Sequence, residues 1–244
     1  MKNKFNICLF GFILMSFTLI TCTYIAMHTI KQIKFGPGNI SVKGCAEKEI
    51  RSDFVTWSGT IRATGDTEID AYEKLEKNVE ILKQRILALD IDLEEVEFSP
   101  LNLSTKYELN EKGISTNKIE SITLFQEFSL ISSNIALITK LSQSITALFK
   151  EGITVISHPP KYFYSKLDEL KITMLGAAAT DAYQRAEEIV TKSGARVGRL
   201  RSAHQGVFQI TPVFSNSVSD YGEFDTSSID KRVKAVVTME FAIE

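Results

Sequence analysis

The chain of 244 residues contains three cysteines, three histidines and one tryptophan, and this scarcity excludes several chemistries. Cys8 and Cys22 lie in one uncharged run, which leaves Cys45 as the only cysteine in the rest of the chain. An internal disulfide there and a Cys-type metal site are both excluded, since each needs at least two thiols. His28 lies in the same run, His158 precedes Pro159-Pro160, and His204 lies in a strand candidate. No local spacing joins His158 and His204 to a carboxylate as metal ligands, so both read as structural or surface residues. The sequence has no Gly-x-Ser-x-Gly elbow, no His-Glu-x-x-His and no phosphate-cradling glycine loop. No residue is therefore assigned a catalytic, cofactor-binding or metal-binding role, and the chain does not read as an enzyme.

Charge is missing in one place above all. Between Lys4 and Lys31 there are 26 residues without Asp, Glu, Lys or Arg. Ile7 to Ile30 is 24 residues, about 36 Å as a helix at roughly 1.5 Å per residue, enough to cross a hydrocarbon core of about 30 Å. Lys2 and Lys4 suit a signal peptide or a signal anchor equally. The apolar stretch is longer than a cleavable signal needs, and Tyr24-Ile25-Ala26-Met27-His28 offers no clean small-x-small site. An uncleaved anchor is favoured over cleavage, and cleavage over lipidation at Cys22, because Thr21 is a poor residue before a modified cysteine. Lys31 and Lys34 weaken the charge asymmetry that would set orientation. Residues 1–35 are thus read as the anchor and 36–39 as a hinge, where Gly36-Pro37-Gly38 stops a helix. Residues 40–244 are read as one domain, and a single domain of two similar halves is as reasonable as two domains.

Basic charge is not in excess. Of 28 Lys and Arg, Lys2, Lys4, Lys31 and Lys34 precede the domain, leaving 24 against 30 Asp and Glu, a net of −6. A mildly acidic domain argues against nucleic acid or anionic lipid as the main partner, since both need clustered basic charge. About two hundred residues are enough for a substantial core without staples.

Periodicity supplies the elements. After a strand at Ile40–Glu47, residues 53–64 alternate, with Val55, Trp57, Gly59, Ile61 and Ala63 on one face, as a half-buried strand does. Thr67 and Asp70 form a capping box, and Tyr72, Leu75, Val79, Leu82, Ile86 and Leu89 advance by threes and fours along a helix. Val96–Tyr107 and Ile119–Ser132 read as a long hairpin joined at Asn110-Glu111-Lys112-Gly113. Asn134 opens a helix carrying Ile138, Leu141, Ile145 and Leu148 that stops at Gly152. A strand begins at Ile153–Ile156. Ser165 and Asp168 form a capping box for the longest helix, ending near Ser193 with Gly194 as its cap, and its Gly176-Ala177-Ala178-Ala179 permits close backbone approach. Strands at Arg196–Thr211 and Lys231–Ile243 flank a Ser/Asp/Gly-rich loop, 214–229, expected to be mobile. The order β-β-α-β-β-α-β-α-β-β predicts an α+β fold of mainly antiparallel sheet with helices packed on one face. The recurrence of strand, helix and hairpin points to duplicated ferredoxin-like units, although no residue-level repeat accompanies it.

Three clusters have a functional and a plain reading. Cys45 is a redox or intermolecular thiol, or, as favoured, a small apolar residue on a strand. Glu47, Glu49 and Asp53 are a cation site or, as favoured, a solvated turn. Tyr162, Phe163 and Tyr164 are a partner patch or, as favoured, core packing with one outward ring. Long hairpins leave unpaired edges that a protein must cover, charge or pair. A tethered domain with such edges and no active site reads as an assembly or binding module.

Several phrases together resemble one family. Ile40-Ser41-Val42-Lys43-Gly44-Cys45-Ala46-Glu47, with Asp53 and Trp57, resembles the opening of SIMPL-domain (DUF541) proteins. Ser193-Gly194-Ala195-Arg196-Val197-Gly198, then Gln205-Gly206-Val207-Phe208 and the closing Lys231–Glu244, resemble the carboxy-terminal signature of its membrane-anchored bacterial branch. The resemblance covers about Ile40 to Glu244, with Cys45 where an apolar residue such as Leu is expected. It implies a bacterial envelope protein without established enzymatic activity. Some members are linked to oxidative-stress tolerance, and a related member forms a large ring-like homo-oligomer. The family offers no catalytic residues to carry over. Gly194 is expected to end the long helix, Gly198 to relax a turn, and Gly206 to permit a bulge or close approach.

The expectation is a single-pass inner-membrane protein with its domain on the periplasmic side, or a periplasmic protein if cleaved. It self-assembles as a homo-oligomer through sheet edges, in a scaffolding or stress-protective role. A binding module for a small ligand or envelope partner is the alternative, to be favoured by a pocket near Trp57 or Tyr162–Tyr164. An enzyme ranks third, requiring His158, His204 and carboxylates to converge.

Overall fold

The computed structural model describes residues 15–29 and 38–244. Residues 1–14 and 30–35 of the expected anchor, and Gly36-Pro37 of the hinge, lie outside the described residues. Residues 15–29 form helix α1. Each of its threonine hydroxyls turns back onto its own helix: Thr18 donates to the Met15 carbonyl at 2.8 Å, Thr21 to Phe17 at 2.6 Å, Thr23 to Leu19 at 2.8 Å and Thr29 to Ile25 at 2.9 Å. No helix among the described residues is long and apolar enough to cross a membrane.

The domain is α+β. Its first half comprises β1 (Asn39–Arg51), β2 (Phe54–Gly65), α2 (Glu68–Leu87), β3 (Val96–Phe98), β4 (Asn102–Leu109) and β5 (Ser115–Ser132). Then come α3 (Ile135–Ser144), β6 (Thr154–Ser157), β7 (Lys161–Phe163) and α4 (Leu167–Lys192). Last are β8 (Val197–Gln205), β9 (Gln209–Pro212), β10 (Glu223–Phe224) and β11 (Asp230–Ile243). The chain forms two compact units. The larger takes Glu47–Met174 and Val207–Ala235; the smaller takes the chain up to Ala46, Leu175–Gly206 and Val236–Glu244.

In the larger unit, β2 to β7 make a six-stranded antiparallel sheet. β5 and β2 are central; β3 and β4 pair with the outer side of β5, and β6 and β7 with that of β2. The connection β2-α2-(β3, β4)-β5-α3-β6 is the βαββαβ arrangement called ferredoxin-like. It occurs once among the described residues, so the expected duplication is not found.

The alternation of β2 explains why both helices share one face. Val55, Trp57 and Ile61 are fully buried, whereas Thr56, Ser58, Thr60, Arg62 and Thr64 point away. Only the first row offers apolar area, and α2 and α3 pack there in a single cluster. Trp57 and Phe128 meet edge to face at 5.1 Å, and the Trp57 indole N–H donates to the Ser157 hydroxyl at 3.0 Å. Burying an aromatic polar edge without such a partner would cost stability.

Several boundaries differ from the sequence reading. Thr67 caps α2 as expected, accepting from the Asp70 amide at 3.2 Å, but Ala71 rather than Tyr72 is buried. The expected strand Val96–Tyr107 breaks between β3 and β4, because Pro100 has no N–H for a ladder. Ser99 holds the break: its amide donates to the Glu127 carbonyl, its hydroxyl accepts from the Glu127 amide, and its carbonyl accepts from the Gln126 side chain. α3 runs on as a 3₁₀ segment, Ile145–Glu151, and ends at Gly152 with φ +79°. Ser165 does not cap α4. Its hydroxyl donates to Asp53 at 2.6 Å and its amide to the same carboxylate at 2.7 Å.

The loop expected to be mobile carries a short strand and several side-chain bonds. β10 pairs parallel with β9, making the sheet content mixed. The Gln209 side chain donates to the Ser219 carbonyl at 2.6 Å and accepts its amide at 3.3 Å. Asp225, almost out of solvent, accepts from the hydroxyls of Ser227 and Ser228 and faces buried Lys231 at 3.7 Å. Burial acts to raise the Asp225 pKa, but the two hydroxyls, the Ser227 amide and the Lys231 charge outweigh it and hold it at about 2. Burial lowers the Lys231 pKa, and Asp225 only partly opposes that.

In the smaller unit, β8 pairs antiparallel with Val237–Ile243 of β11. α4 ends as expected, with Gly194 at φ +80° and the Ala195 amide donating to the Val190 carbonyl.

Candidate functional site

β4 is the least protected strand. It is eight residues long, and none of them is buried. β2 covers β5 only from Ile122 onward, so among the described residues Ser115–Ser121 has β4 as its sole strand neighbour. The two strands therefore continue past the sheet as a ribbon. Its turn is fixed by Asn110, whose side chain accepts from the amides of Lys112 and Ile114, both at 3.0 Å. Cross-strand partners show what the ribbon presents. Leu103 lies opposite Leu124, Thr105 opposite Ile122 and Tyr107 opposite Ile119. Leu124 and Ile122 are buried, but Leu103, Tyr107 and Ile119 are 50%, 44% and 50% exposed. The core-facing row thus runs from cover into solvent. On the other face, Lys106 and Glu120 pair at 2.6 Å.

The sequence candidates resolve into specific contacts. Glu47 meets Lys234 at 2.9 Å, Glu49 meets Arg232 at 2.9 Å and Arg51 meets Asp230 at 3.3 Å. Alternate residues 47, 49 and 51 of β1 thus meet alternate residues 234, 232 and 230 of β11, in descending order as opposite-running strands require. The Lys234 hydrogen bond lowers the Glu47 pKa. Glu47, Glu49 and Asp53 are thus occupied by cations and by Ser165, and the solvated-turn reading gives way to a cross-strand ladder. No cluster of His, Cys, Asp or Glu fit for a metal occurs among the described residues. His158 lies in the larger unit, beside Pro159, while His204 lies on β8 opposite Thr238. Trp57 and Tyr162 are both buried, and the Tyr162 hydroxyl lies 3.1 Å from that of Thr139.

In the smaller unit, β1 and α4 approach closely. A Cβ built on Gly44 would lie 2.1 Å from the Ala178 carbonyl oxygen and 2.5 Å from the Ala182 nitrogen. Ala178, Ala182 and Ala186 are fully buried, at the four-residue spacing that forms one ridge of a helix. Gly176, by contrast, faces open space. Asp181 accepts the Cys45 amide at 2.8 Å and the Arg185 side chain at 2.8 Å, and these bonds, the amide's foremost, lower its pKa. The model of the SIMPL family, described as a protein of unknown function (DUF541), matches residues 40–241. The chain belongs to the SIMPL family. No curated protein matches it.

The SIMPL signature thereby acquires physical meaning. Gly44 of the opening phrase is the point where only a hydrogen fits against α4. Gly206 donates its amide to the Val236 carbonyl at 2.8 Å, and a Cβ there would lie 3.1 Å from that oxygen. Gly198 lies within β8 rather than in a turn.

Sequence reasoning missed one concave feature. A cleft of about 530 Å³ in the larger unit is lined by Thr56, Ser58, His158, Pro159, Pro160, Lys161, Thr226 and Ser227. The hydrophilic row of β2 was legible as a solvent face; its enclosure by residues a hundred or more positions away was not.

Proposed function

We propose that this SIMPL protein is tethered to the bacterial inner membrane by its amino-terminal segment and self-associates through its domain on the periplasmic side, with a scaffolding or stress-protective role and no enzymatic one. The observation that carries the reading is the β4–β5 ribbon, whose outer edge is unpaired among the described residues and which bears exposed Leu103, Tyr107 and Ile119. Such an edge invites pairing with another chain, and two-stranded ribbons are marginal in water on their own. The inward-turned threonine hydroxyls of α1 support the tether, since a hydroxyl in lipid needs an internal partner. Confinement to a surface raises effective concentration and favours weak association.

Light-scattering mass of the full chain in detergent, across a concentration series, tests the assembly. A multimer is expected, and Leu103→Lys with Tyr107→Lys should reduce its mass without lowering the melting temperature, because both side chains are exposed. A strictly monomeric species at high concentration would refute self-association. Alkaline extraction and protease shaving of intact cells test the tether: release by alkali, or protection of the domain after outer-membrane permeabilisation, contradicts it. The second reading, a binding module, is favoured by the polar cleft beside His158.

A further inference from the structure

We propose that this cleft is a binding site for a phosphate monoester carried on a small organic body. The lining is rich in donors and has no carboxylate. The hydroxyls of Thr56, Ser58 and Thr226, the His158 ring and the Lys161 ammonium form no side-chain hydrogen bond or ion pair among the described residues. Ser227 is the exception, since its hydroxyl donates to Asp225. That carboxylate is the nearest acid in sequence to the lining, and Ser227, Ser228 and Lys231 occupy it. The cleft therefore presents a lysine ammonium, an imidazole N–H and three hydroxyls without side-chain partners among the described residues to whatever enters. An oxyanion can take every one of these groups as a donor, and charge-assisted bonds are the strong ones.

The site is built before any ligand arrives. Thr56 and Ser58 belong to β2, which is hydrogen-bonded along both edges, to β5 on one side and to β6 and β7 on the other. Lys161 stands opposite Thr56 in register, so the two side chains leave the sheet on the same face. The His158 amide donates to the Ser58 carbonyl at 3.0 Å, and the Tyr162 amide to the Thr226 carbonyl at 2.8 Å. These bonds fix both ends of the His158–Lys161 segment, and Pro159-Pro160 restricts its backbone between them. A volume of about 530 Å³ falls in the range of small-molecule sites and exceeds what a bare phosphate would fill. The Pro159 and Pro160 rings supply an apolar wall for the organic part. This inference stands on the larger unit alone and does not depend on self-association.

The ester could be free in solution or could be a lipid headgroup, and calorimetry on the full chain in detergent, then in nanodiscs, separates the two. Saturable binding of glycerol 3-phosphate is expected, tighter than that of inorganic phosphate. Lys161→Ala and His158→Ala should each weaken it by about tenfold or more, whereas Lys161→Arg should retain most of it. Both side chains are exposed, so unchanged melting curves and unchanged light-scattering mass would show that fold and assembly persist. In phosphatidylcholine nanodiscs, loss of glycerol 3-phosphate binding on adding phosphatidic acid assigns the cleft to a headgroup. Binding that persists assigns it to a soluble ester. Either outcome supports the site. Absence of saturable binding up to ~10 mM ester together with no effect of phosphatidic acid, or binding that Thr56→Val, His158→Ala and Lys161→Ala all leave unchanged, overturns it.

Discussion

Replacing Gly44 by alanine adds one methyl group, and the geometry dictates a large effect. The new carbon would sit 2.1 Å from the Ala178 oxygen, 2.5 Å from the Ala182 nitrogen and 2.7 Å from the Ala182 Cβ. Two of the three opposing atoms are backbone of a 26-residue helix, so no rotamer change relieves the clash. Either α4 or β1 must move, and the Cys45–Asp181 hydrogen bond lengthens with it. Overpacking of this kind costs about 1–3 kcal/mol, and the immovable neighbours place Gly44→Ala in the upper half of that range. For a domain of this size the melting temperature should fall by roughly 4–12 °C. Gly176→Ala is the matched control, since nothing lies within 4 Å of its Cβ position and it sits inside the same helix. There the change should stabilise by about 0.5–1 kcal/mol, raising the midpoint by a few degrees. Thermal unfolding followed by circular dichroism reads both. If Gly44→Ala melts within about 1 °C of the parent, or if both variants shift in the same direction, the close-packing argument fails.

Breaking the Asp225–Lys231 pair should also be costly. Asp225→Asn leaves Lys231 buried beside a neutral partner, and the expected loss is about 3–5 kcal/mol by urea unfolding at neutral pH. The Asp225 carboxyl titrates at about 2 in the folded state against 3.8 otherwise, so its stabilisation is complete above 3.8 and disappears as pH falls toward 2. Acid unfolding curves of the parent should show that component over this window, and those of Asp225→Asn should not. Ser165 offers a test of role. A true helix cap would accept Ser165→Asp, because aspartate caps well. In this structure the hydroxyl donates to Asp53, so Ser165→Asp sets two carboxylates together and should melt lower than Ser165→Ala; the reverse ranking would restore the cap.

The legible parts of the fold were those governed by short-range pattern. The stripe Ile138, Leu141, Ile145 and Leu148 is buried throughout, and the alternation of Val55, Trp57 and Ile61 places the core face of β2 correctly. The turn at Asn110 and the helix stops at Gly152 and Gly194 follow from side-chain and backbone preferences that act within a few residues. Where the reading slipped, a distant partner had outbid a local one. Ser165 has the right spacing for a capping box, yet Asp53, 112 positions earlier, takes its hydroxyl. Glu47 and Glu49 looked like a solvated turn until β11 supplied Lys234 and Arg232. The cleft lay beyond reach for the same reason: Thr56, Lys161 and Thr226 are unremarkable apart and become a site only when pairing brings them together.

By itself the sequence determined the uncharged amino-terminal run, the α+β class, the SIMPL membership and the positions of most helices and strands. Membership rests on motifs such as Ile40–Glu47 and Ser193–Gly198; the others depend on composition or on a period of two or 3.6 residues, which one segment carries whole. Only the tertiary structure decided that the βαββαβ order occurs once among the described residues, that Gly44 of β1 rather than Gly176 of α4 is the glycine at their close contact, and that the β4–β5 ribbon runs out into solvent. Those outcomes depend on register between segments far apart in the chain, and register is fixed by pairing and close packing that no single segment contains.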